Sequence, residues 1–151
     1  MQQKKSTTIF LWVMKIVAAG IMLQTLYFKF SGAEESVYIF TTLGLEPYGR
    51  IGIGVLELIA SILILIPRTT AFGAMLGMGL MSGAMFSHLT KLGIVVKDDG
   101  GQLFIYALLV FIACAILAFF NKEQLLSLIR KKNFLTTVKF NASFSIVKYT
   151  F

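Results

Sequence analysis

Five side chains in this chain of 151 residues carry groups suited to acid–base or ligand chemistry in an otherwise oily sequence: Lys29, Arg50, Glu57, His88 and Gln102. Glu57 is the most telling, because it is the only charged residue in the apolar run from Ile51 to Ile66. A charge at bilayer depth costs about 2.5–3.5 kcal/mol on insertion scales, so such a carboxylate has a partner or a task, typically on a substrate or proton pathway. His88 is the single histidine, a residue type suited to proton exchange or ligand binding. Lys29 and Arg50 are candidate countercharges for Glu57. The plainer alternatives are a structural ion pair for Glu57, a hydrogen-bonded boundary residue for His88, and anchors reaching the headgroups for the two basic residues.

The elements that must position these groups follow from composition. With 57% hydrophobic and 14% charged residues, only two prolines and a mean hydropathy of +0.82, the chain is far too apolar for an ordinary soluble domain. Four stretches approach the roughly 20 apolar residues that cross a hydrocarbon core. They predict helices over 9–28, 48–66, 71–89 and 103–120, since open strands would leave backbone groups unpaired in lipid. The second span needs Tyr48 at its interfacial end to reach full length. The expected fold class is all-α: an integral membrane four-helix bundle over 1–121, an interfacial segment in its first loop, and a basic tail over 122–151 that opens with an amphipathic helix. Lys15 interrupts the first apolar stretch, which continues past Gly20 to Phe28, so this stretch reads as a retained helix rather than a cleaved signal.

Charge placement predicts the orientation. With both termini cytoplasmic, Lys4, Lys5, Arg68, Lys122, Arg130, Lys131 and Lys132 share one side, and Glu34, Glu35, Glu46, Asp98 and Asp99 the other. The net charge of +7 then faces anionic headgroups and calls for no nucleic-acid partner; the lipid bilayer is the expected one. In this topology Lys29, Arg50, His88 and Gln102 all gather at the outer end. Glu57 lies about 9 Å below that boundary, six residues at 1.5 Å each, within reach of a long basic side chain.

Helical spacing puts Arg50, Gly54, Glu57 and Ser61 on one face of the second span, and Gly73, Gly77, Ala84 and His88 on a stripe of the third. Gly73–Gly77 and Gly79–Gly83 both have the spacing of tight helix contacts, and close packing is their expected use. Lys15 reads as an anchor on the cytoplasmic side. Within 31–49, Val37, Tyr38, Phe40, Thr41 and Leu43 predict a short helix on the outer leaflet, either an interfacial anchor or a lid over the polar cluster. Residues 122–132 read as a basic interfacial helix and 133–151 as disordered or ordered only by a partner.

The chain resembles the DoxX family. The likeness rests on YFKFSG at 27–32, FTTLGLEP at 40–47, GIGVLELIASILILIPR at 52–68, GAMFSHL at 83–89 and DDGGQLFIYALLVF at 98–111, and covers about residues 8–120. The resemblance implies a four-helix membrane bundle and an association with membrane redox chemistry, because the family is named for a subunit of a thiosulfate:quinone oxidoreductase. It also implies polar groups at Lys29, Glu57 and His88. Gln102 stands where an acidic residue is expected, which leaves Asp98 or Asp99 to substitute for it.

Several cofactors have no ligand set here. Cys114 is the only cysteine and lacks a CxxC partner, which argues against thiol–disulfide exchange. One histidine cannot supply bis-histidine haem ligation, four-cysteine cluster ligation is impossible, and no dinucleotide-binding glycine motif follows a strand. No metal site and no redox cofactor are encoded, though a membrane quinone is compatible. The expected function is an accessory or quinone-interacting subunit of a membrane oxidoreductase in a bacterial plasma membrane, beside a partner subunit that carries the cofactor. Homo-oligomerisation is equally compatible. The alternatives are a small proton-coupled transporter, or a non-enzymatic membrane chaperone or assembly factor.

Overall fold

The computed structural model of the chain describes residues 5–127. Lys4 at one end, and Arg130, Lys131, Lys132 and the 133–151 stretch at the other, lie outside the described residues. Five α-helices follow in order: α1 Lys5–Ser31, α2 Glu34–Leu43, α3 Tyr48–Leu65, α4 Thr70–Ser87 and α5 Gln102–Phe120. A π-helical turn over His88–Leu92 prolongs α4, and residues 122–127 are helical.

Four helices, namely α1, α3, α5 and α4 with its π-turn, are long and apolar enough to cross a membrane. Each of α1 and α4 packs against both α3 and α5, which closes a four-helix bundle. Four crossings bring Lys5 and residue 127 to the same end; the opposite end carries α2 and the 93–101 loop and is called here the loop end. The outward faces are apolar, with Ile59, Ile62, Ile105 and Ile112 all more than 40% exposed, and a belt of this kind is suited to the interior of a bilayer. The chain is a multi-pass membrane protein.

Between such helices there is little hydrophobic driving force, because lipid is as apolar as leucine, so close packing holds the bundle. Met22, Ile64, Val110, Cys114 and Leu117 interlock with Ala18, Ala60, Ala74 and Ala113 in the core. Gly73 sits so near α3 that a methyl group there would lie 2.6 Å from the Ile64 nitrogen and 2.8 Å from the Ala60 carbonyl oxygen. Gly77 meets the Cys114 sulfur in the same way, at 2.8 Å. The other glycine pair departs from the expected tight packing: nothing lies within 4 Å of a methyl group built at Gly79 or Gly83. Gly73 and Gly77 therefore face the bundle, whereas Gly79 and Gly83 lie on the exposed face of α4 with Ser82 and Phe86.

Local chemistry sets the ends of the elements. Gly44 takes a φ of 72° and closes α2 by donating to the carbonyls of Phe40 and Thr41, a left-handed position that glycine adopts without strain. Ile66 is extended before Pro67, as the proline ring demands, and ends α3. Gln124 then fastens the turn, donating to the Pro67 carbonyl at 2.7 Å and accepting from the Ala71 N–H at 3.0 Å. That N–H is one of the first-turn donors of α4 with no partner inside the helix.

Candidate functional site

The loop end of the bundle encloses a cavity of about 570 Å³, lined by α1, α2, α3, α4, the π-turn and α5. Its deepest charged group is Glu57, 4% exposed, on the face that α3 turns inward with Arg50, Gly54 and Ser61. Lys29, two residues before the end of α1, reaches Glu57 Oε2 with its ammonium at 2.9 Å. Thr25, one turn earlier on α1, places its hydroxyl 3.3 Å from the same oxygen and 2.9 Å from the Met22 carbonyl, so one proton serves two acceptors. Oε1 accepts no hydrogen bond from the described residues, and none of their fully buried side-chain polar atoms lacks a partner. It follows that Oε1 is open to the cavity.

His88 stands on another wall, 5% exposed, with its ring edge-to-face on Phe104 at 5.9 Å between centroids. Its Nδ1 lies 2.8 Å from the Gly93 carbonyl oxygen. A carbonyl only accepts, so Nδ1 carries the proton and Nε2 is the nitrogen left for chemistry. The π-turn makes this possible by widening the helix after Ser87 until Gly93, five residues on, returns over the ring; such turns recur at functional sites. Gln102 lines the same cavity and donates to the Tyr106 hydroxyl at 2.6 Å.

Arg50 is placed elsewhere. Its Nε lies 2.9 Å from both Glu46 oxygens, and its remaining fork donates to the Lys29 carbonyl. It therefore caps the C-terminal end of α1 and ties it to the start of α3, while Lys29 alone neutralises Glu57. Lys15 has a buried stem, and its ammonium lies 4.9 Å from the centre of the Trp12 ring.

The roof is built from α2 and the 93–101 loop. Ser36, Ile39, Phe40 and Leu43 of α2 face the cavity, and an ion pair between Glu34 and Lys97 ties α2 to the loop. That hydrogen bond and the lysine charge hold the Glu34 carboxyl below its usual range. Asp99 organises the loop by accepting from the N–H groups of Val96, Gly101 and Leu103 at 2.8–3.1 Å. Burial raises the Asp99 carboxyl, but these three bonds outweigh it, aided by the nearby His88, and the net effect is a lowered pKa. A carboxylate so engaged holds the loop and is ill suited to replace the acid expected at Gln102. Lys97 and Asp98 take left-handed φ values of 47° and 63°, uncommon for residues with side chains, at the rim of the cavity.

The profile of the DoxX-like family matches residues 13–117, about two thirds of the chain and the whole of the site. The chain belongs to the DoxX-like family. Searches of curated proteins and of solved structures found no match. Within this DoxX-like bundle, Lys29, Glu57, His88 and Gln102 meet around one cavity and Arg50 stands behind it. Sequence reasoning missed Thr25 and Tyr106. Thr25 could have been found from its spacing, one helical turn before Lys29 on the same face. Tyr106 carried no signal against five tyrosines in an aromatic chain.

Proposed function

We propose that this DoxX-like protein binds the head of a membrane quinone in its loop-end cavity, as an accessory subunit to a membrane oxidoreductase partner that carries the electrons. The observation that supports this reading most is the pairing of apolar walls with hydrogen-bonding groups on separate helices. Lys29 and Tyr106 can donate to a quinone carbonyl; Glu57 Oε1 and His88 Nε2 can accept from the hydroxyls of the reduced form. When bound, the quinone supplies two-electron, two-proton redox chemistry that none of the residues here can perform. The residues contribute binding, orientation and places to hold a proton.

The charge pattern supports a bacterial plasma-membrane protein with cytoplasmic termini, which puts the cavity in the outer half of the bilayer. A proton-coupled exporter built on Glu57 has less support, because Lys29 already occupies the position that a cationic substrate would take. The test is equilibrium binding of a long-tailed quinone to the protein reconstituted in vesicles. We expect saturable binding, weakened about tenfold by Glu57→Gln or His88→Ala, each a loss of about 1.4 kcal/mol. Unsaturable partitioning identical to protein-free vesicles would remove this reading. Substrate-dependent proton flux abolished by Glu57→Gln would favour the exporter.

A further inference from the structure

Lys15 is a buried base without an acid. The sequence reads it as an anchor, yet it is 6% exposed, on the inward stripe of α1 with Leu11, Ala18 and Met22. Its ammonium joins none of the ion pairs or side-chain hydrogen bonds among the described residues; beside it stands the Trp12 ring, 4.9 Å away. No fully buried side-chain polar atom there lacks a partner, so this ammonium reaches the surface although its stem does not. The chain offers it no carboxylate. Six of the seven acidic residues belong to the loop end or the cavity, and residues outside 5–127 include none. The seventh, Glu123, is exposed and forms no ion pair among the described residues. The counter-anion therefore comes from outside the chain.

The bundle fixes where that anion would sit. Lys29 meets Glu57, and α3 runs antiparallel to α1. Fourteen residues back along α1, about 21 Å, Lys15 comes level with the turn after α3, which holds the exposed Arg68. This is the terminal end, opposite the cavity. Trp12 lies eighteen residues before Phe30, five full helical turns, and so shares its edge of α1. That edge faces α3, because a methyl group built at Gly54 would meet the Phe30 ring at 3.0 Å. Leu65, eleven residues after Gly54, falls on the matching edge of α3 and is exposed, as is the neighbouring Ile62. Trp12 is 42% exposed, in the interfacial position that indole rings favour. The Lys15 ammonium thus emerges at headgroup level on an edge that is basic at the end and apolar below.

We propose that Lys15, Trp12 and Arg68 form a site for the phosphate of an anionic phospholipid in the leaflet at the terminal end, its acyl chains lying over Leu65 and Ile62. The phosphate oxygens accept from both basic groups, and basic pockets between spanning helices suit such headgroups. A choline headgroup would bring a third cation beside Lys15 and Arg68, so the site favours a lipid of net negative charge. No group of the cavity takes part, so the site goes beyond the proposed function and either can fail alone.

Trp12 is the only tryptophan, so the protein carries its own reporter. The full chain in maltoside micelles is titrated with phosphatidylglycerol, and separately with phosphatidylcholine, while tryptophan emission is followed. We expect a saturable change that needs about fivefold less phosphatidylglycerol than phosphatidylcholine. Lys15→Met, which keeps an unbranched stem in the core, should raise the half-saturating amount of phosphatidylglycerol about fivefold or more. Lys5→Met, which removes the same charge at the start of α1, should change it less than about twofold. Identical titrations with the two lipids, or no saturable change, overturn the site. A loss no greater for Lys15→Met than for Lys5→Met also overturns it, by reducing the effect to diffuse attraction between a basic end and an anionic surface. Should Lys15→Met fail to fold, Arg68→Gln, an exposed substitution, decides in its place: a larger loss than for Lys5→Met supports the site, and an equal or smaller one overturns it.

Discussion

At the scale of single residues the Lys29–Glu57 pair dominates. Both partners are largely out of solvent, at 13% and 4% side-chain exposure, so little water reaches either to take the other's place. Removing one partner of a buried pair costs about 3–5 kcal/mol, while replacing both with neutral groups of similar size costs far less. Lys29→Met and Glu57→Gln should each lower resistance to denaturant sharply, and the double variant should recover much of the loss. A double-mutant cycle on unfolding measures this, and purely additive effects would show that the pair is not coupled. Asp99 makes a second, pH-dependent case. Its folded pKa lies below the ordinary value of 3.8, so its contribution is complete above that value and is lost as pH falls through the lower folded one. Glu34 follows the same sign through Lys97. Hydrogen exchange in 93–101 should accelerate as pH is lowered through this acid window, after correction for intrinsic rates. Asp99→Ala should abolish the dependence at a cost of about 1–3 kcal/mol for the released N–H groups.

At the scale of elements the glycines of α4 divide into two kinds that spacing alone cannot separate. Gly73 and Gly77 touch backbone or a core sulfur, whereas Gly79 and Gly83 touch nothing. Gly73→Val should be severely destabilising, because the atoms it meets are the backbone of α3 and cannot move aside. Gly79→Ala should be neutral or stabilising by up to about 1 kcal/mol, from helix propensity alone. Thermal unfolding of the two variants decides between them, and equal losses would mean that Gly79 is packed as closely as Gly73. The short helix expected within 31–49 exists as α2, and it roofs the cavity besides lying at the bundle end.

At the scale of the whole molecule, four crossings require the two described ends to share one side of the membrane and the 93–101 loop to lie on the other. Cysteines placed singly at Ser6 and Ser127 in a Cys114→Ala background should react with an impermeant thiol reagent from the same side, and one at Asp98 only from the opposite side. Labelling of Ser6 and Ser127 variants from different sides would mean an odd number of crossings. Gln124 joins the tail to the α3–α4 turn. Gln124→Ala should therefore loosen the terminal end while leaving ligand binding at the loop end unchanged.

The sequence by itself determined the four spans, the family and the inward face of α3, because a bilayer forces apolar length, helical backbone pairing and the segregation of costly charges. Glu57, Lys29 and His88 were legible for that reason: each is a polar group where lipid would otherwise be. Only the tertiary structure decided that Lys29 rather than Arg50 neutralises Glu57, since both basic groups sit within reach along the chain and Glu46 captures the arginine. It alone showed that a π-turn lets Gly93 fix the His88 ring, and that Gly73 and Gly77 are packed in the bundle while Gly79 and Gly83 are not. These depend on how helices lean on one another, a property of packed surfaces that periodicity along one chain does not carry.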